Sequence, residues 1–270
     1  MRVAFSNLAW TASDDAEAMR LLVDAGCTSL EVAPTRLWAE PLAQDPDEIA
    51  AARATVEAAG MRIVALQSLL FRRPDLQLFG SDGARAGLRD HLIGMADLAA
   101  RLGATRLVFG SPGNRRRGDL PVDEADGIGT DFFRELGRAA AERGVCFVIE
   151  ANPTDYGCDW LTDATASTAF VRAVGSPGVR LHLDTACMAL AGDDAAALVR
   201  EGADLLAHVH ASAPQLGEVG PDGPVEHDEI AAALRAVGYE GHVSVEMLAH
   251  PDDTLPAVGR AVQHVRSTYS

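Results

Sequence analysis

The chain of 270 residues contains no lysine, because all 23 of its basic residues are arginine. Schiff-base aldolases, pyridoxal-phosphate enzymes and Walker-type nucleotide sites each depend on a lysine amine, so these reaction classes are excluded. The same absence excludes the lysine-assisted hydride shift of the large sugar isomerases.

Other absences concern the compartment and the macromolecular partners. The four cysteines have no paired spacing, which favours reduced thiols in a cytosolic protein. No apolar run approaches the roughly 20 residues of a bilayer span, and no basic and apolar leader precedes the first strand-like run. A net charge of −16 argues against a nucleic-acid surface, which needs a basic stripe. We therefore expect a cytoplasmic protein that binds neither membranes nor nucleic acid.

Strand-like and helix-like segments alternate along the whole chain. Eight strand-helix units in about 250 residues predict one (β/α)₈ TIM barrel, forming a single domain over 1–270. A doubly wound sheet is the alternative, but the glycine-rich dinucleotide fingerprint is absent after the first strand. Several helix-like stretches end in a glycine at the place of a left-handed cap: Gly26, Gly60, Gly103, Gly144, Gly175 and Gly238. The strand-like runs are 2–6, 28–33, 62–67, 105–110, 145–150, 179–184, 206–210 and 242–246.

Acidic or imidazole side chains end four successive strand-like runs: Glu150, Asp184, His210 and Glu246. Parallel strands with interposed helices bring such ends onto one rim. The set would form a divalent metal site with acid/base groups attached, and its hard ligands favour Mn²⁺, Mg²⁺ or Co²⁺ over a thiolate-bound structural zinc. Ordinary polar residues at solvated strand ends are the alternative interpretation.

The alternation of side chains along a strand places further polar groups on the same face. His182 shares a face with Asp184, His208 with His210, and Ser244 with Glu246. Burying these groups without partners would cost several kcal/mol. A bound metal ion removes that cost for the ligands, so the pattern favours a chemical site inside the barrel.

The order of these motifs resembles the xylose isomerase-like TIM barrels, also called the sugar phosphate isomerase/epimerase superfamily. The resemblance covers essentially the whole chain. It is carried by Ile-Glu-Ala-Asn-Pro (149–153), His-Leu-Asp-Thr (182–185), His-Val-His (208–210) and Ser-Val-Glu-Met (244–247), together with 30–38, 66–71 and 108–115.

The resemblance implies roles for the residues that end the strands. In the ketose 3-epimerase branch, residues of these types bind Mn²⁺ or a similar ion, and the two glutamates are the acid/base pair. Glu150, Asp184, His210 and Glu246 are the implied metal ligands, and Glu150 and Glu246 the implied catalytic residues. Mn²⁺ is the expected cofactor, with Mg²⁺ or Co²⁺ as alternatives. Subunits of this superfamily often associate, which implies a homo-oligomer.

Two positions differ from the ketose 3-epimerase branch. Cys187 stands three residues after the aspartate, where that branch usually has a histidine. The stretch 213–216 reads Ala-Pro-Gln-Leu, where that branch has an arginine a few residues after the seventh-strand histidine. Both positions contact substrate near the reacting carbon in that branch.

The expected chemistry is proton transfer next to a carbonyl. The metal would hold a carbonyl oxygen and the neighbouring hydroxyl, and one glutamate would remove the proton to give a metal-bound enediolate. We predict a sugar, sugar phosphate or polyol isomerase or epimerase. The alternative is a metal-dependent dehydratase of an inosose or a dehydroshikimate-like acid. A DNA-repair endonuclease is disfavoured because that activity needs a three-metal cluster. A non-catalytic barrel is disfavoured because it would not be expected to keep the glutamate pair.

Five further residues are candidates for substrate binding. Glu31 and Gln67 end strands and would bond substrate hydroxyls, while His182 would contact substrate or support the metal. Trp38 would form an apolar wall, and Arg115, the first of three successive arginines, suits a phosphate or carboxylate group. For Glu31 and Gln67 the alternative is a buried polar residue bonded within the core. For Trp38 it is loop packing, and for Arg115 it is a solvated arginine loop or a subunit contact.

Overall fold

Eight parallel strands close into a barrel in sequence order, with β1 beside β8, in a computed structural model that describes residues 1–270. The strands are β1 (Arg2–Ser6), β2 (Ser29–Val32), β3 (Arg62–Leu66), β4 (Arg106–Phe109), β5 (Cys146–Glu150), β6 (Val179–Asp184), β7 (Leu206–Ser212) and β8 (His242–Glu246). The predicted (β/α)₈ barrel is confirmed, and the predicted strand ends agree to within one residue except in β7.

Nine helices surround this barrel. They are α1 (Asp15–Asp24), α2 (Pro46–Ala58), α3 (Asp82–Leu102), α4 (Val122–Glu142), α5 (Ala164–Val174), α6 (Thr185–Ala191), α7 (Ala195–Glu201), α8 (His227–Ala236) and α9 (Thr254–Tyr269). All six glycines predicted as left-handed caps have positive φ. None of the helices combines the length and the apolar character needed to cross a bilayer.

Strand β7 continues two residues beyond its expected end at 210. The extension pairs Ser212 with Glu246 of β8, so the ladder between the two strands continues to the rim. The Ser212 amide also donates a hydrogen bond to Thr185 Oγ1 at 2.9 Å. The prediction stopped at His210 because Ala211 and Ser212 carry no strong strand signal, whereas tertiary pairing decides their conformation.

The helices pack on the barrel through a continuous apolar layer. Phe133 of α4 is fully buried and lies edge-on against Phe109 of β4 and Phe170 of α5, with ring centroids 5.0 and 5.7 Å apart. Burying one such side chain stabilises the fold by about 1.5–3 kcal/mol. This packing anchors the end of β4, from which one of the loops around the site departs.

Candidate active site

A cavity of about 560 Å³ opens at the C-terminal ends of the strands. The loop 67–81 after β3 and the loop 110–121 after β4 form part of its wall. Phe71, whose surface is 54% exposed, stands at the wall together with Tyr156 and Leu216. The cavity is therefore lined by loops above and by strand ends below.

Three of the four predicted metal ligands, Glu150, Asp184 and Glu246, line the floor of this cavity, and the fourth, His210, lies against them. The Nδ1 atom of His210 lies 3.2 Å from Glu246 Oε2, 3.6 Å from Asp184 Oδ2 and 3.7 Å from Glu150 Oε1. All four side chains are nearly shielded from solvent, with His210 only 1% exposed. Four strands thus bring three carboxylates to one imidazole nitrogen.

Glu31 of β2 sets the orientation of that imidazole. It is fully buried, and its two oxygens lie 3.0 Å from the Nε2 atoms of His208 and His210. Because a carboxylate only accepts hydrogen bonds, both Nε2 atoms donate to it. His210 therefore presents Nδ1 to the three carboxylates. A carboxylate behind a ligating histidine is the usual outer support of a metal site.

The charge balance of this floor fits a divalent cation. Burial, followed by the charges of Asp184 and Glu246, raises the pKa of Glu150 to about 8. His210 Nδ1 is buried without a hydrogen-bond partner. A cation among these groups would stabilise the ionised carboxylates and satisfy Nδ1, and oxygen and imidazole donors suit Mn²⁺, Mg²⁺ or Co²⁺.

Asp184 is held by the backbone of the helix that follows it. Burial would raise its pKa, but the nearby imidazole of His210 and hydrogen bonds from the Cys187 amide and Ser212 keep that pKa below its ordinary value. The Cys187 amide donates to Oδ1 at 2.7 Å, which makes Asp184 the N-cap of α6. Ser212 Oγ donates to Oδ2 at 2.7 Å. The carboxylate is fixed before any ligand arrives.

Glu150 is positioned from three sides. Asn152 Nδ2 donates to its Oε2 at 3.1 Å, and Arg115 Nη2 donates to its backbone carbonyl at 2.7 Å. Gly110 lies so close that a Cβ at this position would overlap Oε2. Sequence reasoning missed the role of Gly110, although a glycine directly after a strand often marks a close approach.

Gln67 and His182 lie at the site in different layers. Gln67 lines the cavity, donates to Ser6 Oγ at 2.8 Å and has an unpartnered Oε1. His182 lies beneath the cavity wall with its Nε2 3.6 Å from Glu150 Oε1, and neither of its nitrogens has a hydrogen-bond partner. His182, Glu150, Asp184 and His210 can present ligand atoms within 4.8 Å of one another.

Three expected substrate contacts have other surroundings in the structure. Arg115 is fully buried between Phe109 and Trp160, about 6 Å from each ring, and does not line the cavity. Its guanidinium supports the Glu150 backbone and is not placed to bind a phosphate. Trp38 is half-buried against the core and also lies outside the cavity wall. Glu31 contacts the two histidines and no part of the cavity.

Cys187 lines the cavity at the place where the ketose 3-epimerase branch usually has a histidine. Burial, then the charges of Asp184 and Glu150, raise the pKa of its thiol far above the ordinary value. The side chain remains a neutral thiol, so it is neither a thiolate nucleophile nor a base.

The comparisons with known proteins identify the family of this chain. Residues 19–268 match the family model described as the xylose isomerase-like TIM barrel. An L-ribulose 3-epimerase of Mesorhizobium japonicum is 27% identical over 136 residues, which are 50% of this chain and 45% of the relative. The match thus spans about half the length of that curated relative.

Solved structures share the fold at low sequence identity. D-Psicose 3-epimerase from Clostridium cellulolyticum H10 has a TM-score of 0.83 and 16% identity over 100% of both chains. The 3-keto-D-glucoside 4-epimerase from E. coli has a TM-score of 0.81 and 17% identity over 99% of both chains. An AP endonuclease of family 2 from Brucella melitensis has a TM-score of 0.76 and 18% identity over 96% of this chain and 97% of that one. The chain belongs to the xylose isomerase-like TIM-barrel family.

Proposed function

We propose that this protein is a divalent-metal-dependent epimerase or isomerase of an uncharged sugar. The observation that carries the proposal is the convergence of three carboxylates on His210 Nδ1 at the floor of an open cavity. The sugar class is supported by the relatives, which are named as a ribulose epimerase, a psicose epimerase and a keto-glucoside epimerase.

Glu150 and Glu246 would perform the proton transfer. A bound divalent ion would supply Lewis-acid stabilisation of negative charge at this point. Glu150 and Glu246 come from β5 and β8, so their carboxylates can reach a substrate from different sides. One would remove a proton next to a carbonyl, and the other would return a proton to the opposite face. Return to the adjacent carbon would give isomerisation.

The cavity wall favours a substrate without a phosphate or carboxylate group. No arginine or histidine side chain is among the cavity-lining residues, which include three carboxylates. Apart from the proposed divalent ion, an anionic substrate would find no cationic side chain in the wall to pair with. The apolar wall formed by Phe71, Tyr156 and Leu216 suits the carbon face of a neutral sugar. A dehydroshikimate-like acid and a sugar phosphate fit this wall less well.

Deuterium uptake in D₂O tests the proposed reaction. The Mn²⁺-loaded protein would be supplied with free ketoses, their phosphates and inososes. We expect uptake next to the carbonyl of a free sugar and a loss of about 10²- to 10⁴-fold in Glu246→Gln, which removes one acid/base group. Glu229→Gln, an exposed change on α8, is the matched control.

Separate outcomes address each part of the proposal. Mn²⁺ binding would be measured on each variant, because Glu246 is also a proposed ligand. Undiminished exchange in Glu246→Gln would contradict the acid/base role. Exchange confined to the phosphates would contradict the uncharged substrate, and loss of water with an ultraviolet-absorbing product would identify a dehydratase.

A further inference from the structure

Basic residues gather at the end of the barrel opposite the proposed active site. Arg2, Arg62, Arg106 and His242 begin β1, β3, β4 and β8. Because all strands are parallel, their first residues share one end of the barrel, and Arg2 is directly beside His242 in the register. These four residues therefore lie together at the N-terminal opening of the barrel.

A second cavity of about 560 Å³ lies at this end, which we call the base cavity. Besides the strand residues, Arg53 of α2 and Arg266 of α9 line it. Glu57 is its only acidic side chain and is already paired with Arg53, with Nε 2.7 Å from Oε1. The base cavity thus has a strong excess of positive charge.

Four of its five arginines have no acidic partner. Arg2, Arg62, Arg106 and Arg266 form no ion pair, although acidic residues outnumber basic ones 39 to 23 in the chain. Only ten of the 23 arginines form an ion pair, so unpaired guanidinium groups are common on this surface. The base differs in that four of these unpaired groups line one cavity.

The guanidinium groups of the base cavity keep free donors. Arg106 uses Nε and Nη1 on the carbonyls of Ala207 and Thr105, at 3.2 and 3.1 Å, which leaves Nη2. The guanidinium of Arg266 is half-buried over Gly26, where a Cβ would overlap it, and donates no hydrogen bond within the protein. Arginine forks with free donors match the geometry of phosphate oxygens.

The electrostatic field at this end is positive as well. His242 has its pKa lowered to about 4, by burial first and then by the charges of Arg2, His208 and Arg106, against the opposing charge of Glu31. A nearby anion would offset those charges. The field and the free donors favour the same kind of ligand.

We propose that the base cavity binds a small phosphate ester carrying about two negative charges. The volume lies in the range of about 300–1,000 Å³ that is usual for small-molecule sites. Arg62 and Arg266 contribute charge and donors to it, while Arg106 is fixed by its backbone contacts. This ligand differs in charge from the neutral sugar proposed for the other end.

Isothermal titration of the Mg²⁺-loaded protein with inorganic phosphate, at constant ionic strength, tests the proposed site. The wild type should show one saturable site. The double variant Arg62→Gln/Arg266→Gln should bind about tenfold more weakly or worse, since charge-assisted hydrogen bonds are lost. Neither side chain donates a hydrogen bond within the protein, so the fold should persist, as circular dichroism would verify. Arg138→Gln, at an exposed arginine of α4 without an ion pair, should change the affinity less than about twofold.

Each other result contradicts the proposal. Absence of saturable binding, equal affinity in the double variant, or an equal loss in Arg138→Gln would overturn it. A second series compares inorganic phosphate with a nucleoside monophosphate and a monophosphorylated ketose. Tighter binding of an ester is expected, and esters that bind more weakly than the free ion would overturn the assignment to phosphate esters.

Discussion

The two ends of the barrel hold opposite charges in different ways. At the C-terminal ends of the strands, Glu31, Glu150 and Asp184 are buried and each contacts groups from other strands. At the base, Arg2 and Arg62 remain exposed and have no acidic partner. A buried charge needs a complete set of partners, whereas an exposed one is stabilised by water. The carboxylate end is therefore the more sensitive to substitution.

Helix direction supports both charge distributions. The helices run back against the strands, so their N-termini face the carboxylate end and their C-termini face the base. Asp184 caps the N-terminus of α6, while Arg53 Nη1 donates to the carbonyl of Arg101 at the end of α3, at 3.5 Å. Acidic groups at helix N-termini and basic groups at C-termini are both favoured by the helix dipole.

Among the substitutions that compare the two ends, the largest effect is expected from Gly110→Ala at the carboxylate end. A methyl group would overlap Glu150 Oε2 and displace that carboxylate. Since a displacement of about 1 Å can cost 10²-fold in rate, we expect kcat to fall about 100-fold. Gly113→Ala is the matched control, because a Cβ there meets nothing within 4 Å. Steady-state kinetics with confirmed Mn²⁺ saturation measures the effect, and equal kcat values in both variants would refute it.

A smaller effect is expected from Glu31→Gln, which removes the shared acceptor of His208 and His210. An amide has one acceptor oxygen, so one of the two Nε2–H donors loses its partner and His210 is held less firmly. We expect Mn²⁺ affinity to fall about 10- to 100-fold, as for other supports behind a ligand. Equilibrium Mn²⁺ titration measures this.

The same variant separates a positioning role from a catalytic one. At saturating Mn²⁺ most of kcat should return in Glu31→Gln. If kcat stays low while Mn²⁺ affinity is normal, Glu31 acts on substrate and the positioning role is wrong.

The smallest effect is expected at the base, from His242→Asn. Because the folded pKa of about 4 lies below the unfolded value of about 6.5, the unfolded chain binds more protons between these values. His242 therefore lowers the free energy of unfolding as pH falls from about 6.5 to 4. After allowance for the partial exposure of His242, we expect the substitution to reduce this acid-induced loss of unfolding free energy by about 1–2 kcal/mol.

Denaturant unfolding at pH 7 and pH 4.5 measures the change at His242. His250→Gln, at an exposed loop histidine, is the control. An unchanged difference between the two pH values in His242→Asn would show that the imidazole titrates normally in the folded protein.

Much of the fold follows from local sequence signals. Apolar runs separated by helix-like stretches predict the eight strands, and the glycines after them predict the caps, because both features act within a few residues. The strand-end carboxylates could also be named from the sequence, because parallel topology brings the ends of the strands together.

The remaining features depend on partners that are distant in sequence. Glu31 was expected to contact substrate, but it contacts His210, which is 179 positions away in the chain. The strand pattern predicts on which face of β2 Glu31 lies, but it does not predict which residue of another strand it meets. Arg115 was expected to bind a phosphate or carboxylate group, with a solvated arginine loop as the alternative, whereas it is buried between aromatic rings and donates to the Glu150 carbonyl. Three of the base arginines begin strands, which places them at one end of the barrel from sequence alone. Whether each has an acidic partner depends on the folded surface, so the sequence could not show that they are unpaired.

Closure of the barrel also restricts how copies of this chain can meet. Every strand has hydrogen-bonded neighbours on both sides, so no strand edge is free to pair with another chain. Growth by strand addition, the usual route from sheet proteins to fibrils, would require the barrel to open first. Any association of folded copies must therefore use helix faces and loops, where isolated apolar side chains such as Leu42 and Val122 are exposed.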